Sequence, residues 1–203
     1  VLVAAIHNKV FVYWLEANWR PFKVGAYDSH KCEGEERVAV SVLKEASETI
    51  VAFPGQRPGT VSIVSVQVLD GEWRETTKTT IQPTIKQLGV ITAHDSPIVC
   101  LAMTPSGDKI ATASQKGTII RVFQVATSRM ICELRRGVDP AVITSMSFNP
   151  DGTKLAVASD KGTIHIFNLS PNQPTTTTTN TTAPIPDLLK KEKKKYFSST
   201  WSF

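Results

Sequence analysis

Residues 98–123 read IVCLAMTPSGDKIATASQKGTIIRVF, and residues 143–167 read ITSMSFNPDGTKLAVASDKGTIHIF. The second stretch repeats the first 45 residues later, so that Pro105 matches Pro150 and Gly117 matches Gly162. Each stretch alternates apolar and polar residues, turns at Pro-x-Gly-x-Lys and turns again at x-Lys-Gly-Thr, which is the pattern of consecutive antiparallel strands. A repeat of about 40–45 residues built of short strands is typical of β-propeller blades. The sequence therefore predicts an all-β fold.

Two more degenerate units precede this repeat. Residues 1–15 and residues 38–66 each show a strand, a turn and a second strand. Residues 71–87 are rich in threonine and charge and are expected to form an exposed link between units. A fourth strand of the first complete unit is predicted over 130–134. We therefore predict a WD-repeat β-propeller with roughly four blades in residues 1–169.

The last part of the chain has a different composition. Residues 170–195 are rich in threonine, proline and lysine, and we expect a flexible loop between strands, since such a segment cannot bury enough apolar surface to fold alone. Residues 196–203 alternate like the first strand of a following, truncated blade. The chain also lacks an initiator methionine and begins inside a strand-like run, so we expect a fragment of a longer propeller.

Composition sets broad limits on function. The 203 residues are 41% hydrophobic and 20% charged, as in a soluble globular protein, and the net charge of +5 favours an anionic partner. Most of that excess is local, because five lysines surround Glu192 near the end of the chain. The three cysteines lack CxxC spacing, which predicts neither a zinc site nor a disulfide framework. No signal peptide or membrane-spanning segment is recognisable.

The candidate binding motif is Leu134-Arg135-Arg136-Gly137, at the end of a predicted strand. Side chains alternate between the two faces of a strand, so adjacent arginines should point in opposite directions and could each serve a separate pocket. Arginine suits phosphate because its planar guanidinium can donate two parallel, charge-assisted hydrogen bonds to one phosphate group. The motif therefore predicts two anion sites, one on each side of the strand.

With this motif between the two clearest units, the chain resembles the PROPPIN family of phosphoinositide-binding β-propellers, and most closely its shorter WIPI-type members. The resemblance is carried by residues 134–137, 113–118 and 159–167, and also by 52–55 and 196–199. It implies a seven-bladed propeller with two lipid pockets on its rim. It also implies binding of phosphatidylinositol 3-phosphate and phosphatidylinositol 3,5-bisphosphate, in autophagosome formation and endolysosomal membrane traffic.

The resemblance also implies the site residues, position by position. The first pocket would comprise His94, Ser114, Lys116, Thr118, Arg121 and Arg135. The second would comprise Arg136, Ser159, Lys161 and Thr163, with Asp139 beside it as a carboxylate that repels phosphate unless it orients a neighbouring cation. The loop 170–195 falls where relatives touch the membrane, and its predicted membrane contacts are Leu188, Leu189, Lys190 and Lys191. His94 lies in Ala-His-Asp-Ser-Pro, which is also a structural element of ordinary WD-repeat blades, whereas its family position implies a pocket residue, so both roles stay open.

The sequence also bears on three functions other than lipid binding. The four histidines are scattered and no catalytic or phosphate-cradling motif is present, so we expect no enzyme, catalytic residue, cofactor or metal. A WD-repeat scaffold that binds proteins and no lipid remains the alternative, because only the double arginine and its neighbours argue against it. Nucleic acid is not expected as a partner. The resemblance further implies a cytoplasmic protein located peripherally on preautophagosomal, endosomal or vacuolar/lysosomal membranes. It implies an autophagy lipid-transfer protein as a partner, and we expect the protein to be monomeric.

Overall fold

The computed structural model describes residues 1–6, 8–15, 21–30, 38–41, 48–68 and 83–169. Within these ranges the regular secondary structure is β-strand, with no helix, as the alternating sequence predicts. The strands form four antiparallel sheets, and in each sheet neighbours in sequence are neighbours in space. Such a meander needs only hairpin turns as connections, which is why short turn motifs recur along the sequence.

The sheets follow one another along the chain. The first contains β1 (Leu2–Ile6), β2 (Lys9–Leu15) and β3 (Pro21–Asp28). The second contains β4 (Ala39–Val40), β5 (Glu48–Pro54), β6 (Thr60–Val68) and β7 (Pro83–Thr92). The third contains β8 (Ile98–Met103), β9 (Lys109–Ser114), β10 (Ile119–Gln124) and β11 (Met130–Arg135). The fourth contains β12 (Ile143–Phe148), β13 (Lys154–Ser159) and β14 (Ile164–Asn168).

The four sheets correspond to the four units predicted from the sequence, but two details differ. The expected link over 71–87 is wrong for its last residues, because β7 begins at Pro83 and pairs with β6. This strand lies at the edge of its sheet, and in its first half the exposed positions are polar, such as Thr84 and Lys86, which gave that part the composition of a loop. The pairing of β3 with β2 was not predicted, since Pro21 and Gly25 interrupt the strand pattern.

Apolar side chains between successive sheets form the core. Val12, Phe53 and Val64 pack between the first and second sheets, and Ile63, Ile98 and Ile110 pack between the second and third. Between the third and fourth sheets lie Ile120, Val122, Leu134, Leu155 and Val157, all almost fully buried. Burial of each such side chain contributes about 1.5–3 kcal/mol. The third and fourth sheets are thereby fixed against each other, which positions the double arginine at their junction.

Candidate functional site

Two turns of matching sequence lie on either side of the junction between the third and fourth sheets. The Gly117 amide donates to the Ser114 carbonyl at 2.9 Å, and the Gly162 amide donates to the Ser159 carbonyl at 3.2 Å. Gly117 and Gly162 have positive φ angles, +61° and +74°, which residues with a side chain rarely adopt. Each turn therefore closes tightly and carries an exposed lysine at its tip, Lys116 in one and Lys161 in the other.

Arg135 is the last residue of β11 and lies opposite Ile119 of β10. The preceding residue, Leu134, pairs with Ile120, and both are buried in the core shared with the fourth sheet. Alternation along the strand therefore places Arg135 on the opposite face, towards the second sheet. The Arg135 side chain is exposed, and in the part of the chain that the structure describes its guanidinium has no hydrogen bond or ion pair.

Arg136 follows the end of β11 and is held by backbone carbonyls. Its amide donates to the Thr118 carbonyl at 2.9 Å, its Nε donates to the Gly117 carbonyl at 2.8 Å, and its Nη2 donates to the carbonyl of Asp139. These bonds fix the guanidinium beside the turn 114–117. The contact of Asp139 with Arg136 is thus made by its main chain, so this residue orients the cation without neutralising it through its carboxylate.

His94 and Arg121 are engaged within the scaffold. His94 is only 7% exposed, and its Nε2 lies 2.9 Å from Thr112 Oγ1. Since the Thr112 hydroxyl donates to the Arg121 carbonyl at 3.2 Å, it must accept from His94, which places the ring hydrogen on Nε2. Burial, and secondarily the charge of Arg121, lower the pKa of His94 to about 4. A neutral, buried ring of this kind has the features of a structural histidine.

Arg121 connects the third sheet to the second. Its Nε donates to Glu133 Oε2 at 2.8 Å across the β10–β11 pair, and its Nη1 donates to the Ala93 carbonyl at 2.6 Å. The ion pair lies near the surface and would contribute at most about 1 kcal/mol. Its main consequence is that the Arg121 side chain is already engaged, which leaves Arg135 as the unpaired arginine on this face among the described residues.

On the other side of the motif, Ser159 carries an unsatisfied hydroxyl. The residue is 4% exposed, and its Oγ has no hydrogen-bond partner in the described part of the chain. A buried polar group without a partner costs about 1–3 kcal/mol, so such groups are rare without a functional reason. In the same turn, the Asp160 carboxylate accepts from the Val142 amide at 3.0 Å. Thr163 follows, with its Oγ1 3.3 Å from His165 Nε2.

Comparison with known proteins identifies the family. The PROPPIN family model matches residues 57–185. The chain belongs to the PROPPIN family. WD repeat domain phosphoinositide-interacting protein 2 of Mus musculus is 43% identical over 126 residues, covering 59% of this chain and 26% of that protein. Autophagy-related protein 18e of Arabidopsis thaliana is 33% identical over 126 residues, covering 62% of this chain and 29% of that protein.

The structural comparison agrees with this membership. The crystal structure of Kluyvelomyces marxianus Hsv2 superimposes with a TM-score of 0.60 and 26% identity, over 84% of this chain and 47% of that one. The chain thus spans no more than about half the length of these relatives. The predicted WD-repeat β-propeller fold is confirmed. PROPPIN propellers are non-enzymatic binding proteins, and the expectation that this chain is not an enzyme agrees with its membership of that family.

Some predicted features lie outside the described residues. These are the loop 170–195, the strand 196–203 and the membrane contacts Leu188, Leu189, Lys190 and Lys191, all of which stay predictions. Among the residues that the structure describes, we find no helix that could serve as a membrane span. The same residues contain no cluster of histidine, cysteine, aspartate or glutamate side chains placed to hold a metal ion.

A second concave region was not predicted from the sequence. A cavity of about 540 Å³ opens between the first and second sheets, lined among others by Tyr27, Asp28, Arg57 and Thr92. It adjoins the turn after β5, which is the counterpart of the turns at 114–117 and 159–162 in this PROPPIN chain. The cavity contains none of the predicted site residues, and its one lining arginine faces the same space as a carboxylate, so its charge does not favour an anion.

Proposed function

We propose that this protein is a phosphoinositide effector that binds phosphatidylinositol 3-phosphate and phosphatidylinositol 3,5-bisphosphate through two pockets flanking Leu134-Arg135-Arg136-Gly137. The observation that carries this proposal is the exposed guanidinium of Arg135, which is unpaired among the described residues and lies at the end of β11, beside the lysine-tipped turn 114–117. Names of family members point the same way, since the mouse relative is called phosphoinositide-interacting and the Arabidopsis relative autophagy-related.

The first pocket comprises Arg135 with the turn residues Ser114, Lys116 and Thr118. Arg135 and Lys116 are exposed cations, and among the described residues neither is paired with a carboxylate. They neutralise the phosphate, while the hydroxyls of Ser114 and Thr118 donate hydrogen bonds to its oxygens. The engaged positions of His94 and Arg121 give them a supporting role, in which they hold the strands that present Arg135.

The second pocket would comprise Arg136, whose guanidinium lies beside the turn 114–117, together with Ser159, Lys161 and Thr163 of the matching turn on the fourth sheet. Its cation is already oriented by the Gly117 and Asp139 carbonyls, which leaves other guanidinium hydrogens for an anion. The buried Ser159 hydroxyl has no partner among the described residues, and a phosphate oxygen would satisfy it. Preorganisation of this kind favours binding because less side-chain freedom is lost when the ligand arrives.

The two pockets act together at one membrane. Linking two modest sites on a common surface can raise binding by about 10²–10⁴ when both engage at once. The loop 170–195, through Leu188, Leu189, Lys190 and Lys191, adds apolar insertion and attraction to anionic lipids. The protein then recruits autophagy machinery, including a lipid-transfer protein, as a monomeric cytoplasmic effector located peripherally on preautophagosomal, endosomal or vacuolar/lysosomal membranes.

Flotation with liposomes tests this proposal. The purified chain is mixed with neutral liposomes that contain or lack phosphatidylinositol 3-phosphate or the 3,5-bisphosphate. Because Arg135 makes no described internal bond, Arg135→Thr should leave the fold intact and reduce specific binding by about tenfold or more, the effect of one charge-assisted contact. Arg136→Thr and the double variant then report the second pocket, and Arg129→Thr, at an exposed arginine just before β11, is the matched control.

Three outcomes separate the functions. Specific binding that is lost in the double variant and retained in the control supports both the function and the site. Binding retained in the double variant contradicts the site assignment. A folded chain, as judged by circular dichroism, that binds neither phosphoinositide contradicts lipid binding and favours the alternative, a WD-repeat protein scaffold.

A further inference from the structure

The segment that crosses from the third sheet to the fourth exposes apolar side chains. We call residues 137–142 the crossing loop. Val138 is 80% exposed and Val142 59% exposed, and Pro140 between them is also exposed. Exposed apolar residues are common singly, but three within five residues form a local apolar patch. This patch lies directly after the double arginine.

The backbone of the crossing loop is fixed to both lysine-tipped turns. Gly137 and Ala141 donate their amides to the carbonyls of Thr118 and Lys116 at 3.5 and 3.3 Å. At its other end, Val142 and Asp160 are joined by two hydrogen bonds of 3.0 Å each. The side chain of Ala141 is buried, whereas those of Val138, Pro140 and Val142 are exposed. The valines are therefore held outward by a fixed main chain.

The surroundings of the crossing loop are cationic. Arg135 precedes it, Lys116 and Lys161 flank it on the two turns, and all three are exposed. Of the nearby carboxylates, that of Asp160 accepts from the Val142 amide, which leaves Asp139 as the exposed acidic side chain within the loop. An apolar patch bordered by cations complements an anionic lipid surface, whose headgroups lie above an apolar layer. An apolar protein surface would not need these cations.

We propose that the crossing loop is a membrane wedge, in which Val138 and Val142 enter the headgroup–acyl boundary while phosphates occupy the pockets on either side. This inference rests on the proposed phosphoinositide function and adds to it a contact with the bilayer itself. The phosphates fix the depth and orientation of the propeller, and the valines displace water from the apolar boundary. Because the loop is already ordered, insertion requires little loss of conformational entropy.

The test separates headgroup recognition from insertion. Val138→Ser/Val142→Ser should weaken binding to vesicles of phosphatidylcholine, phosphatidylserine and phosphatidylinositol 3-phosphate by about tenfold, from the lost burial of two side chains. Its affinity for water-soluble dibutanoyl phosphatidylinositol 3-phosphate should equal that of the unaltered chain. Val138→Phe should instead tighten vesicle binding. Met130→Ser/Ile131→Ser is the matched control, since both side chains are about half exposed at the opposite end of β11.

Each other result contradicts the wedge in a distinguishable way. Unchanged vesicle binding by the serine variant removes the wedge and leaves the phosphoinositide function standing. An equal loss for the soluble lipid shows that the loop shapes a pocket and does not insert. Failure of the unaltered chain to bind the soluble lipid refutes the underlying function, and the wedge with it. If the serine variant binds vesicles normally but loses binding to a protein partner, the patch is a protein-docking surface and the wedge is refuted.

Discussion

Mild acid should destabilise this protein through His94. The side chain is 7% exposed, its Nε2 hydrogen is donated to Thr112 Oγ1 at 2.9 Å, and Arg121 lies nearby. Burial and the Arg121 charge both oppose protonation, and together they lower the pKa of His94 from the ordinary 6.5 to about 4. Between pH 6.5 and about 4, His94 is therefore mostly neutral in the folded protein and mostly protonated in the unfolded chain.

The size and sign of the effect follow from this difference. A gap between 6.5 and about 4 corresponds to about 3 kcal/mol of unfolding free energy, at 1.36 kcal/mol for each pH unit. Between these values the unfolded chain binds the proton more strongly than the folded chain. Stability is therefore fully present above pH 6.5 and is lost progressively as the pH falls towards 4.

Urea unfolding between pH 7.5 and 4.5 measures this loss. His94→Gln is the matched variant, because its side-chain amide offers a donor to Thr112 and does not titrate. The unaltered protein should lose about 2.5 kcal/mol more than the variant over this range, because pH 4.5 still lies above the folded-state pKa, while other titrating groups contribute equally to both. Parallel curves for the two proteins, or a His94 pKa at or above 6.5 by proton NMR, would refute the reasoning. A protonated His94 would instead support a direct role in the first pocket.

The remaining predictions concern the scaffold that holds the site. Gly117→Ala should lower the melting temperature more than Gly162→Ala. Both glycines have positive φ, but only a Cβ at position 117 would meet a backbone atom, the Ala141 carbonyl oxygen at 1.7 Å. Equal losses would contradict the packing of the crossing loop on this turn. Ile120→Ala should cost about 2–5 kcal/mol by urea unfolding, and more than the half-buried Ile119→Ala, because Ile120 is fully buried between the third and fourth sheets. A smaller loss at Ile120 than at Ile119 would place the core elsewhere.

The two turns of the candidate site could be predicted from the sequence because they are repeated local structures. The turns at 114–117 and 159–162 close through hydrogen bonds between residues three apart, so their sequence alone specifies them. Alternation along β11 also predicts that Arg135 and the following Arg136 serve different sides, and this stays a prediction. The same local rules failed for β7, whose polar edge positions resemble a loop, and for β3, which is interrupted by proline and glycine.

The sequence by itself determined the repeat, the all-β fold and the position of the double arginine, since each depends on patterns within one unit. Only the tertiary structure decided which charged groups are already engaged. Arg121 donates to the Ala93 carbonyl, 28 residues away on the neighbouring sheet, and His94 reaches Thr112 across the same boundary. It also decided that the Ser159 hydroxyl is buried without a partner in the described chain, and that the valines of the crossing loop stay exposed. Burial and hydrogen bonding between sheets depend on how blades pack, and no local pattern in the sequence encodes that packing.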